Sequence, residues 1–376
     1  MVRAERGRER IVDGRSSTAR NALVIIAVIL TGAAVYWLRG ILTPLALAAF
    51  LLIMIDGFAR TLRKRLPSLP NKAAMPVAIT LVLVVLGLSI YVVTDNINGF
   101  INDTTEYVPR LNARIADVAQ RVGLGEEAPT IQSLVGRVNP GQIIGLVAQA
   151  VRSFASDAVF VLIYLGFLIA TRRGFSRKAR SLFPDPNDRR EANEVMDGVR
   201  TGVEKYLYVQ TVTGGMIALA SWALMAALGE SNAWFWAFFI FLTGYVPIVG
   251  AAVGTIAPAL FAFVDFDTLW QPLVIFAGLQ GINFFVGNVI YPRMQGDSLN
   301  LDPVVVLLAL AFWGLLWGLP GAFLSTPLTV MAMIILAQFK GSRWIAVLIS
   351  NNGNPEGADQ ARSRETDRGA REPGRP

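Results

Sequence analysis

Among its 376 residues the chain has no cysteine and no histidine. Disulfides, thiol nucleophiles, imidazole bases and most transition-metal sites are excluded together, and any proton chemistry falls to carboxylates. Charge is also scarce: 16 % of the residues are Asp, Glu, Lys or Arg, against roughly 25 % in a soluble domain. The phosphate-cradling pattern G-x-x-x-x-G-K-[ST] does not occur, which removes ATP hydrolysis of that kind. Ser325 and Thr326 have no imidazole, thiol or acid–base pair to activate them as nucleophiles. The expectation is a protein that is not an enzyme and needs no cofactor or metal.

What the chain has instead is apolar length, with 53 % hydrophobic residues. Crossing roughly 30 Å of hydrocarbon takes about 20 apolar residues as a helix. Uncharged runs cover Asn21 to Leu38, Gly40 to Ile55, Ala73 to Thr94, Ala158 to Thr171, Tyr206 to Gly229, Ser231 to Val264, Thr268 to Pro292 and Pro303 to Phe339. This is an all-α integral membrane protein with about eight transmembrane helices. The fourth run is short and must recruit Ser153 to Asp157. The first ends in Tyr-Trp-Leu-Arg with no small-residue cleavage motif and leads into another apolar run, so it reads as a retained span, not a signal peptide.

The basic residues set the orientation. The net charge of +7 sits largely in tails and loops, which is a sign of topology and not of nucleic-acid binding. Residues 1–20, with six arginines, form a cytoplasmic N-terminus. Residues 21–94 hold the first transmembrane helices, with a basic cytoplasmic loop at 59–72 and an out-and-back pair of spans turning near Pro44. Residues 95–152 have no basic excess and lie outside; Ile97, Phe100, Ile101, Val108, Leu111 and Ile115 recur at helical intervals, so this segment reads as amphipathic helices. A span at 153–171 returns to the basic cytoplasmic segment 172–205, where Asp185-Pro186 starts a helix with Val195, Val199, Val203 and Tyr206 on one face. The transport core occupies 206–339. Residues 340–376 form a cytoplasmic tail, disordered from about 351.

Two of the late runs are too long. Ser231 to Val264 has 34 residues and Pro303 to Phe339 has 37, about 50 to 55 Å if straight. Both carry breakers near the middle: Gly244, Pro247 and Gly250 in the first, Gly318, Pro320, Gly321 and Pro327 in the second. Each is expected to be two helical segments joined by an unwound turn. Unwound backbone is tolerated in a membrane only against protein or water, and paired broken segments of this kind mark secondary transporters. Glu230 lies outside and the C-terminal arginines inside, so an odd number of crossings joins them. The charge bias favours making both long runs hairpins, which leaves Thr268 to Pro292 as the net crossing.

Between the last two runs lies NVIYPRMQGDSLNLDP. Gln280, Asn283 and Asn288 approach this stretch at near-helical spacing, and Arg293, Asp297 and Asp302 follow. Ionisable groups within membrane segments are functional candidates; Arg293 suits an interfacial anchor equally well. These six residues form the candidate substrate pathway. Pro247, Gly250, Pro292, Gly296, Pro303, Gly318, Pro320, Gly321 and Pro327 form the candidate breaks and hinges.

The motifs YVPIVGAAVGTIAPAL and NVIYPRMQGDSLNLDPVVVLLALAFWGLLWGLPGAFLSTPL, preceded by VEKYLYVQTVTGG and by ILTPLALAAFLLIMIDGFARTLRKRLP, resemble those of the autoinducer-2 exporter family over roughly residues 20–340. The basic tails place both termini in the cytoplasm, and the resemblance implies an eight-helix transporter of the bacterial inner membrane. It also implies members linked to autoinducer-2 export and others to sodium/proton exchange. The family's pattern falls on Pro247, Gly250, Pro292, Gly296, Pro303, Gly314, Gly318, Gly321 and Pro327.

The expected function is export of a small polar organic solute by alternating access around the broken helices. The alternative is monovalent cation/proton antiport, and a non-transporting scaffold comes third. The partners are a lipid bilayer and a small solute or monovalent cation. Small residues such as Gly214 and Gly215 suit a homo-oligomer or packing within one chain alike.

Overall fold

The computed structural model describes residues 22–65, 73–85, 157–171, 184–295 and 300–355, with isolated positions between them. The amphipathic pattern of 95–152 and the proposed recruitment of Ser153 fall almost wholly outside these residues. So do Gly296 and Asp297. No strand occurs among the described residues; a single bridge joins Leu301 to Ser350.

Helix α1 (Ala22–Trp37) meets α2 (Arg39–Arg65) at Leu38. Arg39 lies over the Tyr36 ring at this break, 4.7 Å from its centroid. Pro44 therefore sits inside α2 and not at the turn. Helices α3 (Ala74–Val85) and α4 (Asp157–Thr171) pack on α2 through Ala48, Ile55, Ala59, Ala78, Val82, Val161 and Leu165. The small residues in this set let the backbones approach closely.

Helix α5 (Pro186–Leu228) is the axis of the molecule. Its 43 residues are unbroken, about 65 Å at 1.5 Å per residue, so the charged segment and the fifth apolar run are one rod. Asp185 caps its start by accepting from the Asn187 amide at 2.7 Å, with Pro186 in the first turn. At its end Gly229 adopts φ 85, and the amides of Gly229 and Glu230 turn back to the carbonyls of Ala226 and Met225. This is the left-handed cap that glycine permits. Val199, Val203 and Tyr206 are buried as their spacing predicts.

Both overlong runs are broken. The first is α6 (Ala233–Thr243) and α7 (Val249–Asp265), joined by a turn at 244–248. Its two ends meet: Ser231 Oγ donates to the Asp265 carboxylate at 2.9 Å. It is a hairpin, entered and left at the C-terminal end of α5.

Helix α8 (Trp270–Phe285) then passes through one π-helical turn (Val286–Ile290) into α9 (Tyr291–Gln295). The second long run is α10 (Pro303–Gln338), interrupted at Gly318, whose φ of 68 and ψ of −144 are not helical. The interruption is tighter than an unwound turn, because one glycine supplies it. The ends of this run also meet, since Leu301 packs on Met333 and Ala337 together with α11 (Arg343–Ile349).

The ordered chain continues past residue 350. Asn300 holds Asn351, Asn352 and Asn354 through its carbonyl and its side chain, at 2.7 to 3.1 Å. Residues 351–355 are thus held by Asn300, which supplies hydrogen-bond partners that composition does not reveal; the rest of the tail lies outside the described residues.

Among the described residues, four helices are long and apolar enough to cross a membrane, and five shorter apolar helices accompany them.

Candidate functional site

The two hairpins approach α5 from opposite ends. In the first, Trp234 packs on Trp222 with ring centroids 4.7 Å apart, and Phe241 covers Gly214, where an added methyl group would meet its ring at 3.5 Å. At the tip, Gln210 Nε2 donates to the Gly244 carbonyl at 2.7 Å and Thr211 Oγ1 pairs with the Tyr245 hydroxyl at 2.8 Å. The outgoing arm thus descends α5 from its C-terminus to residue 210.

In the second hairpin, Val330 and Ile334 of the returning arm lie against Gly202. Nearer its tip, Thr326 lies beside the Tyr206 hydroxyl. This arm ascends α5 to residue 206. The tips then touch each other, since Tyr245 stacks on Phe323 with centroids 5.1 Å apart. Both breaks converge on residues 206–211, where α5 changes from charged to apolar sequence.

Close packing at each tip requires glycine. A methyl group on Gly250 would overlap the Thr243 carbonyl, and one on Gly321 would overlap the Trp313 carbonyl. In both hairpins the first turn of the returning arm lies directly on the last turn of the outgoing arm. Ile248, between the arms of the first, has φ 63 and ψ −58, with the Val249 amide bonded to the Pro247 carbonyl at 2.6 Å. That is a γ-turn on a β-branched residue, a strained conformation.

The chemistry at this junction is hydroxylic and aromatic. The Tyr206 phenol lies within electrostatic reach of those of Tyr245 and Tyr291. Thr326 Oγ1 is buried and faces the Tyr206 hydroxyl. Ser325 Oγ is turned onto the Ala322 carbonyl at 2.7 Å. Trp317, at the second tip, donates to the Val35 carbonyl at 3.3 Å, the group left over at the α1–α2 break. A junction built this way can offer a small polar solute hydroxyl groups and ring faces; among the described residues no cluster of metal-binding side chains occurs.

The sequence candidates distribute differently. Asn283 Nδ2 donates to Thr255 Oγ1 of α7 at 3.2 Å and is half-buried. Gln280 is exposed, and Asn288 is exposed on the π turn, bonded to the Phe284 carbonyl at 2.8 Å. Arg293 is exposed on α9, as is Pro292. Asp302 caps α10 by accepting from the Val304 amide at 2.8 Å, with Pro303 in the first turn, as Asp185 does for α5. Of the break residues, Pro247 and Gly250 flank the first tip, Gly318, Pro320 and Gly321 form the second, and Pro327 is buried two turns beyond.

The junction residues absent from the sequence candidates for the pathway are Tyr206, Gln210, Thr211, Tyr245, Tyr291 and Thr326. Gln210 carried a signal: it is the one amide in the run Tyr206 to Gly229. Tyr291 lies inside the polar stretch already singled out.

A quartet of charges lies just below the junction. Arg200 bridges Asp56 at 2.9 Å and Glu204 at 3.0 Å, and Arg60 pairs with Glu204. Asp56 is buried. This network joins α2 to α5.

Comparison with known proteins fits this architecture. The AI-2E family transporter pattern matches residues 23–341. The chain belongs to that family. It is similar to the AI-2 transport protein TqsA of Escherichia coli K12, 26 % identical over 340 residues, covering 88 % of this chain and 94 % of TqsA. An inferred transport protein of Haemophilus influenzae is 28 % identical over 345 residues, covering 88 % of this chain and 96 % of its own. The inferred transport protein YhhT of Escherichia coli K12 is 24 % identical over 336 residues, covering 87 % and 92 %. The match takes in both hairpins and α5. A membrane transport role therefore follows for this AI-2E family member.

Proposed function

We propose that this AI-2E family member is a secondary transporter that moves a small polar organic solute outward, by alternating access at the junction of its two hairpins. The observation that carries the reading is the convergence of two opposed hairpin tips on residues 206–211 of α5. Two broken elements that touch at their tips can expose the space between them to one side or the other by small shifts of either hairpin. The hydroxyls and rings gathered there suit an uncharged, hydrogen-bonding cargo. Autoinducer-2, the substrate in the name of TqsA, is the first candidate. Gln280, Asn283, Asn288, Arg293, Asp297 and Asp302 serve on this reading as the flank of the pathway, with the bond from Asn283 to Thr255 tying α8 to the first hairpin.

Reconstituted vesicles loaded with the candidate solute test the proposal. Flux is expected in the wild type and is expected to fall at least tenfold in Tyr245→Phe and Thr326→Val, with folding retained. Equal flux in wild type and both variants would remove the junction from the pathway.

Monovalent cation/proton antiport is the second reading. A buried carboxyl group at Glu230 favours it. Proton movement driven by an imposed sodium gradient, with no solute flux, would establish that reading over the first.

A further inference from the structure

Glu230 is the first residue beyond the cap of α5 and is only 5 % exposed. Its backbone is pinned by the bond from its amide to the Met225 carbonyl at 3.0 Å, so the side chain is directed inward by the cap itself. Both carboxylate oxygens are buried, without a hydrogen-bond partner among the described residues. The neighbouring charge is of the same sign: Asp265, at the far end of the first hairpin, acts electrostatically on Glu230.

A buried carboxylate with no partner beside a second carboxylate is costly when ionised. We propose that Glu230 and Asp265 form a proton-binding site at the base of the first hairpin, with the proton resident on Glu230. The proton comes from the solution at the end of the molecule away from the quartet of Asp56, Arg60, Arg200 and Glu204.

The surrounding groups support this assignment. The last turn of α5 holds no basic residue, and α6 begins with apolar side chains. Asp265 is occupied by Ser231, whose amide and hydroxyl donate to it at 3.3 and 2.9 Å. A described cation on this side, Arg114, is bonded to the carbonyl and carboxylate of Asp267 at 2.7 and 2.6 Å. Burial, then the Asp265 charge, raise the Glu230 carboxyl to about 8. Loss of the proton would place two like charges at the point where α5, α6 and α7 meet. The occupancy of the site thereby biases how firmly the first hairpin is seated. The inference stands whether or not the chain moves a solute.

Infrared difference spectroscopy of the full chain in lipid, between about pH 6 and about pH 9, reads the carbonyl stretch of a protonated carboxylic acid buried in protein. The wild type is expected to lose such a band as pH rises. Glu230→Gln is expected to lack it while folding normally, because glutamine mimics the protonated acid. Asp265→Asn is expected to keep the band and shift its titration to lower pH, because a like charge is gone. A wild type without the band, or a band unchanged in Glu230→Gln, overturns the proposal. A Glu230→Gln that fails to fold overturns it too, since the neutral form would then not be the native one. Removal of the band by sodium at constant pH would support the assignment, because a cation can displace a proton only from a site that holds one.

Discussion

Gln210 on α5 donates its side-chain amide to the main-chain carbonyl of Gly244 at 2.7 Å. That carbonyl lies at the end of α6, where the helix stops and its own partner is lost. A backbone group freed by a break in a membrane needs a partner from elsewhere in the protein, and the long helix provides it at the level where the second hairpin also arrives. Gln210→Leu keeps the bulk and removes the donor. The expected cost is about 1–3 kcal/mol for the carbonyl left unsatisfied, read as a lower midpoint of thermal unfolding in detergent. An unchanged midpoint would mean that water reaches Gly244 instead.

Ile248 holds a positive φ that β-branched residues avoid. Ile248→Gly is expected to relieve strain of about 1 kcal/mol net and to raise the unfolding midpoint. Lowered solute flux in the same variant would show that the strained turn has a working role.

At the tips, Gly250→Ala and Gly321→Ala each force a methyl group onto a carbonyl of the facing arm. Overpacking of this kind costs about 1–3 kcal/mol, and protease protection of the tips should fall. Gly215→Ala, where an added methyl meets nothing within 4 Å, is the matched control and should change neither.

The quartet of charges is tested by a double-mutant cycle. Arg200→Gln removes a guanidinium partner from Asp56, which is 8 % exposed. A loss on the order of 2 kcal/mol is expected. The loss should be much smaller when Asp56 is already Asn, because the buried charge that Arg200 neutralises is then gone. Additive effects would show that the pair is not coupled.

The Glu230 site makes stability depend on pH. Its carboxyl titrates near 8 in the folded protein against an ordinary 4.5, so between these values the folded state holds a proton that the unfolded chain has released. Stability therefore falls as pH rises through this window and levels off above about 8. The unfolding midpoint of the wild type should follow that slope, and Glu230→Gln should flatten it.

Much of the architecture was legible in advance because it follows from local physics. A run of 37 uncharged residues interrupted by Gly318, Pro320 and Gly321 cannot be one straight span, and the hairpin that results needs no long-range information to anticipate. Asp185-Pro186 announced a helix start through its own side-chain geometry. Asp302-Pro303 has the same form, and the structure gives Asp302 the same capping role. The π turn at Val286–Ile290 carried no comparable signal, since its residues are ordinary helix formers in an apolar run.

The chain's own composition and spacing settle the membrane environment, the helical content, the two breaks and the positions of the caps, because each depends on residues within one or two turns of each other. The meeting of Tyr206, Gln210, Tyr245 and Thr326 is a different kind of fact. It depends on two hairpins entering from opposite ends of a 43-residue helix and stopping at the same level. Contacts between residues more than a hundred positions apart, such as Asp56 with Arg200, have no local signature either. Their pairing follows from how far each arm reaches along α5, and only packing in three dimensions sets that reach.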